Sequence, residues 1–256
     1  MTKTALVTGG ATGLGREVAL RLAARGVTVA VADINAEKAD GTLAELRGAP
    51  GTHLAIHVDL TGSGAPERVV AQCFEKWGHL DLLVNNAAIG AIEPFFESTE
   101  ELWNQTLAIN VTALMLLTKF AGRHMRDRRS GRIVNLTSPA ARMSLPNYAA
   151  YAASKAAVDS VTRSSAVALA PYGVLVNSVA PGMMDTEMQR ITETRLAAVE
   201  NRPNVEEFLE ERTRRVPLGR RAEISEVADV VVWLLLDAPA YVTAARINAS
   251  GGLDKD

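Results

Sequence analysis

Short apolar runs rich in β-branched residues recur along this chain, and stretches of helical period separate them. The runs cover Ala5 to Thr8, Val27 to Asp33, Leu54 to Val58, Leu82 to Asn85, Ile133 to Ser138, Val174 to Val179 and Arg246 to Ala249. The helical stretches cover Leu14 to Arg25, Ala36 to Arg47, Pro66 to Trp77, Glu100 to Arg126, Tyr148 to Ala170 and Glu223 to Leu236. Strands joined by helices of this length make right-handed crossovers, which build a parallel sheet covered on both faces. The predicted class is α/β, a doubly wound parallel sheet with helices on both sides. No linker, repeat or low-complexity tract divides residues 1–256, so a single domain is expected. Gly182 to Gly219 interrupts the alternation and is the expected lid over a substrate site.

Apolar residues make up 48% of the chain and charged ones 22%, enough to bury a core and to exclude a disordered segment. A net charge of -2 offers no general attraction for nucleic acid or an anionic membrane, and neither partner is expected. Arg123 to Arg132 holds five arginines and one acid, placed where a helix ends and its dipole welcomes cations. The cluster Arg212 to Arg221 follows Glu206, Glu207, Glu210 and Glu211, a pattern that reads as a solvated helix face. Cys73 is the only cysteine, so no internal disulfide or thiolate cluster is available. His53, His57, His79 and His124 lack ligand spacing, and no metal is expected. With no apolar leader or membrane-length segment, the expected location is the cytoplasm.

The first strand runs into Thr8-Gly9-Gly10-Ala11-Thr12-Gly13-Leu14-Gly15, which opens a helix. Glycines permit positive φ and close backbone approach, so a pyrophosphate can rest on the positive end of that helix. The glycines fall as GxxxGxG rather than in the GxGxxG fingerprint. The second strand ends in Asp33, about 20 residues beyond the loop, where a carboxylate can accept hydrogen bonds from the adenosine ribose. A 2′-phosphate there would meet a like charge. None of Thr12, Ile34 and Asn35 is basic, so NAD is expected over NADP.

Tyr151 and Lys155 stand four apart on a helix and therefore share a face. A cation beside a phenol favours its ionised form and brings it toward the range of a general base. Ser138 ends the fifth run, at the carboxyl edge where an open sheet holds its ligand crevice. Asn110 lies within the long helical stretch before that run.

The TGxxxGxG loop together with Asn110, Ser138, Tyr151 and Lys155 resembles the cofactor loop and catalytic tetrad of the short-chain dehydrogenase/reductase family. The resemblance runs from Lys3 to Gly252 and implies a Rossmann-like fold. It implies hydride transfer between a nicotinamide cofactor and a secondary alcohol or its ketone. In that scheme Tyr151 is the general base or acid, Ser138 holds the substrate oxygen, Lys155 binds the nicotinamide ribose and lowers the Tyr pKa, and Asn110 holds a proton-relaying water. The resemblance also implies cofactor contacts from Gly9, Thr12, Gly13, Leu14 and Gly15 at the loop, and from Asp33, Asp59 and Leu60 around the adenosine. Asn86, Ala87, Pro181, Gly182, Met184 and Thr186 would join Tyr151 and Lys155 around the nicotinamide. Two departures stand out: Asn85-Asn86-Ala87-Ala88 for the usual Asn-Asn-Ala-Gly, and Asn248-Ala249-Ser250-Gly251-Gly252 for Asn-Val-Asp-Gly-Gly. A polyol, sugar or related small alcohol is the leading substrate class. A 3-oxoacyl reductase and a catalytically silent NAD-binding regulator are the alternatives. Pairing of the two long helices into a homotetramer is the family expectation.

Overall fold

In a computed structural model describing residues 2–254, the apolar runs form one seven-stranded parallel sheet. Its strands are β1 (Thr4–Thr8), β2 (Thr28–Asp33), β3 (Leu54–His57), β4 (Leu82–Asn85), β5 (Gly131–Leu136), β6 (Val174–Pro181) and β7 (Arg246–Ala249). The helices are α1 (Gly13–Ala24), α2 (Ala36–Leu46), α3 (Ala65–Trp77), α4 (Glu100–Leu107), α5 (Leu114–Arg128), α6 (Ala149–Leu169), α7 (Glu187–Val199), α8 (Val205–Arg214) and α9 (Ile224–Leu236). The strand order β3-β2-β1-β4-β5-β6-β7 reverses its winding between β1 and β4, which opens a crevice at their carboxyl ends.

Alternation within each strand divides the core between the two faces of the sheet. On β1, Ala5 and Val7 face Val18 and Leu22 of α1 and Val231 of α9, whereas Leu6 faces Val69 and Cys73 of α3 and Leu117 of α5. Each fully buried leucine contributes about 2 kcal/mol in apolar transfer, so both layers are needed to hold a sheet this wide. Burial also pushes the Cys73 thiol up to about 12, which makes it an inert core group.

Most boundaries lie within a residue or two of the sequence expectation, and three of the differences bear on the site. β5 ends at Leu136 rather than Ser138, because Pro139 has no N–H for a further rung. Ser138 instead turns the chain, its hydroxyl accepting from Ala140 N at 3.2 Å. The expected helix Glu100 to Arg126 is interrupted by a π-helical turn, Ala108–Ala113, and continues to Arg128. Helix α6 begins at Ala149, one residue after Tyr148. Between β6 and α9, helices α7 and α8 close around Leu196 and Phe208, packed on Tyr148 and Ile92. Among the described residues no helix is long and apolar enough to cross a membrane.

A polar ladder crosses the centre of the sheet. Asn85 and Asn135 are register partners, and Asn85 Nδ2 donates to Asn135 Oδ1 at 2.8 Å and to Thr118 Oγ1 at 3.0 Å. Asn135 Nδ2 continues to Thr162 Oγ1 at 2.9 Å, so the ladder ties α5 and α6 to the strands that end at the crevice. A buried polar group that loses its partner forfeits its desolvation cost in full. Asn135→Ala is therefore expected to lower the unfolding free energy by about 2 to 3 kcal/mol in urea denaturation. A loss below about 0.5 kcal/mol would show the ladder to be dispensable.

Candidate active site

The carboxyl ends of β1 to β6 open into a cavity of about 610 Å³, and most of the residues expected around a cofactor line it. At the β1 end, Asn86 Nδ2 donates to the carbonyls of Thr8 (3.1 Å) and Gly9 (2.8 Å), while Thr8 Oγ1 accepts from the amides of Asn86 and Ala87. This stitching brings the loops after β1 and β4 so close that a methyl on Gly9 would stand 2.9 Å from Ala87 Cα. A methyl on Gly15 would stand 2.2 Å from the Gly9 carbonyl oxygen. Gly15 therefore supports the loop from behind and does not line the cavity. Gly13, at φ +52°, meets only the Thr186 side chain. Thr12 makes no capping bond to α1, so the first-turn amides at Gly13 and Leu14 have no side-chain partner at the cavity wall. Free amides at a helix N-terminus fit a pyrophosphate.

Asp33 is held at the rim, its two oxygens accepting from Ala11 N (3.1 Å) and Asn35 N (3.0 Å). No basic residue stands beside it in the cavity wall, where its neighbours are Ala32 and Ile34. Asp59 closes its own turn on Thr61, and those two hydrogen bonds hold its carboxyl below the usual range. Ile34, Val58 and Leu60 add apolar wall suited to a flat base. At the β6 end, Pro181, Gly182, Met184 and Thr186 also line the cavity. Gly182 N donates to Ala249 O at 2.8 Å, and a methyl on Gly182 would stand 2.8 Å from Ser250 Cα. Thr186 spends its hydroxyl on capping α7, accepting from Gln189 N. The donors, the carboxylate and the apolar slot together fit a dinucleotide.

Ser138, Tyr151 and Lys155 converge at the deep end, with the Ser138 side chain hydrogen-bonded to the Tyr151 phenol. Lys155 Nζ donates to Leu136 O at 2.8 Å and lies 5.7 Å from the Tyr151 ring centroid. Burial lowers the Lys155 pKa to about 8, opposed by the carboxylate of Asp159 one helical turn on. Desolvation raises the Tyr151 pKa, the Ser138 bond works against it, and Tyr148 adds to the rise. The expected phenol depressed by a neighbouring ammonium is thus absent in this state, because burial raises the phenol, while the ammonium is engaged by a backbone carbonyl. Asn110 stands apart. The π turn presents it to the Ile89 backbone, which it grips at both ends (2.9 and 3.1 Å), and its amide also donates to Ser154 Oγ at 3.0 Å. Its side chain does not line the cavity and has no donor left for a water.

Two groups of charges escaped the sequence reading. Arg246 is largely shielded from solvent, paired with Asp159 (3.2 Å) and Asp254 (2.5 Å), and donates to Ser138 O at 3.0 Å. Asp159 thus stands between Lys155 and Arg246, and its i,i+4 spacing from Lys155 was the available signal. In the second group, buried Glu193 receives Arg221 (2.9 Å) and Arg212 (3.2 Å). The cluster Arg212 to Arg221 is therefore not wholly a solvated face: Arg214 and Arg215 are exposed, while Arg212 and Arg221 turn inward.

A family model described as enoyl-(acyl carrier protein) reductase matches residues 9–254. Sorbitol dehydrogenase of Cereibacter sphaeroides is 36% identical over 98% of this chain and 96% of its own. A variant actinorhodin polyketide ketoreductase with NADPH superposes with a TM-score of 0.94 at 34% identity, covering 100% of this chain and 98% of that one. NAD⁺-bound xylitol dehydrogenase superposes with a TM-score of 0.92 at 31% identity, covering 98% of each. The chain belongs to the short-chain dehydrogenase/reductase family. It is accordingly an oxidoreductase of a family that works with a nicotinamide cofactor.

A buried lysine with a depressed pKa costs stability wherever it is charged. Below about pH 8 Lys155 is protonated in both folded and unfolded chains and the cost is complete; from there to the ordinary lysine range the folded chain alone sheds the proton, and stability rises. Lys155→Met is expected to melt above the wild type at pH 7, with a gap that narrows between pH 8 and 10. A gap constant across that range would show that the ammonium is not desolvated.

Proposed function

We propose that this protein oxidises a secondary alcohol to its ketone with NAD, Tyr151 exchanging the hydroxyl proton. The observation that carries the reading is the hydrogen-bonded Ser138–Tyr151 pair at the deep end of a cavity whose other end offers helix-terminal amides and a fixed carboxylate. When bound, the nicotinamide supplies the hydride acceptor. Ser138 orients the substrate oxygen, and Tyr151 removes its proton as charge develops there. Lys155, anchored at Leu136 O, is placed to hold the nicotinamide ribose and to favour the phenolate once its ammonium turns toward Tyr151. Asn110 holds the loop after β4 against α6. Arg246 holds the Ser138 backbone.

Asp33 supports NAD, since its carboxylate occupies the rim where a 2′-phosphate would have to sit. A 3-oxoacyl reductase that docks an acidic carrier protein would need a free basic face, and the arginines at 123 to 132 are largely committed within the chain: Arg126 to Asp127, Arg128 to Asp81, Arg129 to Pro171 O and Arg132 to Leu234 O. α7 and α8, within the 182–219 segment, act as the lid, and Met188 of α7 is an exposed apolar residue that lines the cavity. A cytoplasmic homotetramer acting on a small alcohol completes the proposal. Exposed Met115 of α5 and Val167 of α6 support helix pairing, and Trp233 and Tyr241 support a second interface.

Tyr151→Phe is expected to lower kcat by about 10³-fold while leaving the NAD dissociation constant within about threefold, read by turnover and by NADH fluorescence titration. A variant that keeps a tenth of the activity would remove the phenol from the mechanism. For the cofactor, Asp33→Ser is expected to raise the NADP-to-NAD ratio of kcat/KM by about 10²-fold. An unchanged ratio would show that Asp33 does not select the cofactor.

A further inference from the structure

The lid wall of the cavity carries positive charge that hydride transfer does not use. Arg212 and Arg215, at the end of α8, both line the cavity. Behind Arg212, the buried Glu193 carboxylate already has a bidentate partner in Arg221, at 2.9 and 3.0 Å. That pair is electrically matched, so Arg212, which reaches Glu193 through Nε alone at 3.2 Å, makes a second cation on one carboxylate. Its remaining bond is to the Tyr148 side chain, which leaves other N–H donors of the guanidinium uncommitted. Arg215 is exposed and is one of several cations acting on Glu211, which is itself paired with Arg202 at 2.7 Å. The acids of the cavity wall lie elsewhere: Asp33 and Asp59 follow β2 and β3, and Glu187 is held by Lys38 at 2.8 Å.

Tyr148 links this charge to the chemistry. Its side chain bonds Arg212, and its ring centroid lies 6.4 Å from that of Tyr151. Arg212 and the reacting pair are thus linked through the Tyr148 side chain, and Arg215 lines the same cavity. Met143, Leu145 and Met183 supply apolar wall to the same cavity.

We propose that the substrate is a hydroxy acid whose carboxylate is bound by Arg212 and Arg215 while its secondary hydroxyl lies several bonds away at Ser138 and Tyr151. The planar guanidinium fork matches a carboxylate bidentately, which favours that anion. In the reaction the C–H bond of the alcohol carbon breaks with hydride passing to NAD, the hydroxyl proton passes to Tyr151, a C=O bond forms and the carboxylate is unchanged. The inference rests on the oxidoreductase reading above and names its substrate class.

The test compares matched acid and neutral substrates with NAD: 4-hydroxycyclohexanecarboxylate against 4-methylcyclohexanol, and gluconate against sorbitol. At least one acid is expected to exceed its neutral partner in kcat/KM by about tenfold or more. That advantage should fall by about tenfold in Arg215→Met, chiefly through KM, and Arg212→Lys should lower it less than Arg212→Met. Because Arg212 also supports Glu193, melting temperatures accompany each variant, and the exposed Arg215 provides the test that does not depend on folding. Neutral alcohols equal to or better than the acids in both pairs would overturn the inference and leave the oxidoreductase reading intact. So would an acid advantage that survives loss of both arginines. Absence of turnover with every alcohol in a wider panel would overturn the reading of the site, and this inference with it.

Discussion

Parallel pairing forces all the strands to end on one side of the sheet, and the rest of the molecule follows from how those ends are used. Because the winding reverses between β1 and β4, no crossover helix covers the gap, and it must be lined by loops. Those loops are not slack. Asn86 reaches across to the carbonyls of Thr8 and Gly9, so the floor of the cavity is built from backbone groups fixed by one amide side chain. The same closeness excludes a side chain at Gly9 or Gly15 and leaves the amides that start α1 turned toward the space between the strands. Binding of an anion there is thus a by-product of the pairing that closes the sheet.

Charge is distributed about this crevice with different compensation at each place. Lys155 is buried with a single carbonyl partner, and the nearest carboxylate, Asp159, is shared with Arg246. A fully matched ion pair would hold the ammonium in one place. An ammonium with a weak claim on its surroundings is free to change partners, and this is what a residue serving both a ribose and a phenol needs. Asn110 shows the opposite design. Every atom of its amide is occupied, and its contribution is rigidity.

Much of this could be read from the sequence because it depends on local spacing. The alternation of strand and helix, the glycine loop and the pair Tyr151 and Lys155 each lie within one or two turns of chain, where periodicity and helix geometry act directly. The end of β5 was misplaced at Ser138 although its signal is local: Pro139 forbids the rung that would have carried the strand so far. What escaped depends on partners far apart. The π turn at Asn110 forms because Ile89, on another loop, takes its amide. The inward turn of Arg212 requires Glu193, whose burial is decided by helix packing. Arg246 reads as a polar residue in a short edge strand, and only the fold reveals that it meets Asp159 and Asp254.

The bond from Arg246 to the carbonyl of Ser138 closes a loop of 108 residues, and the contact between Arg21 and Asp229 spans 208. Closures of that length form late, because chain entropy resists them until local structure has shortened the effective distance. The Ser138 carbonyl therefore keeps this partner only while β7 is docked against β6. A chain that has assembled the nucleotide-facing half, β1 to β4 with their helices, would already present the phosphate cradle while its reactive end was unformed. Ligand affinity and chemical competence thus rest on different closures of the same chain.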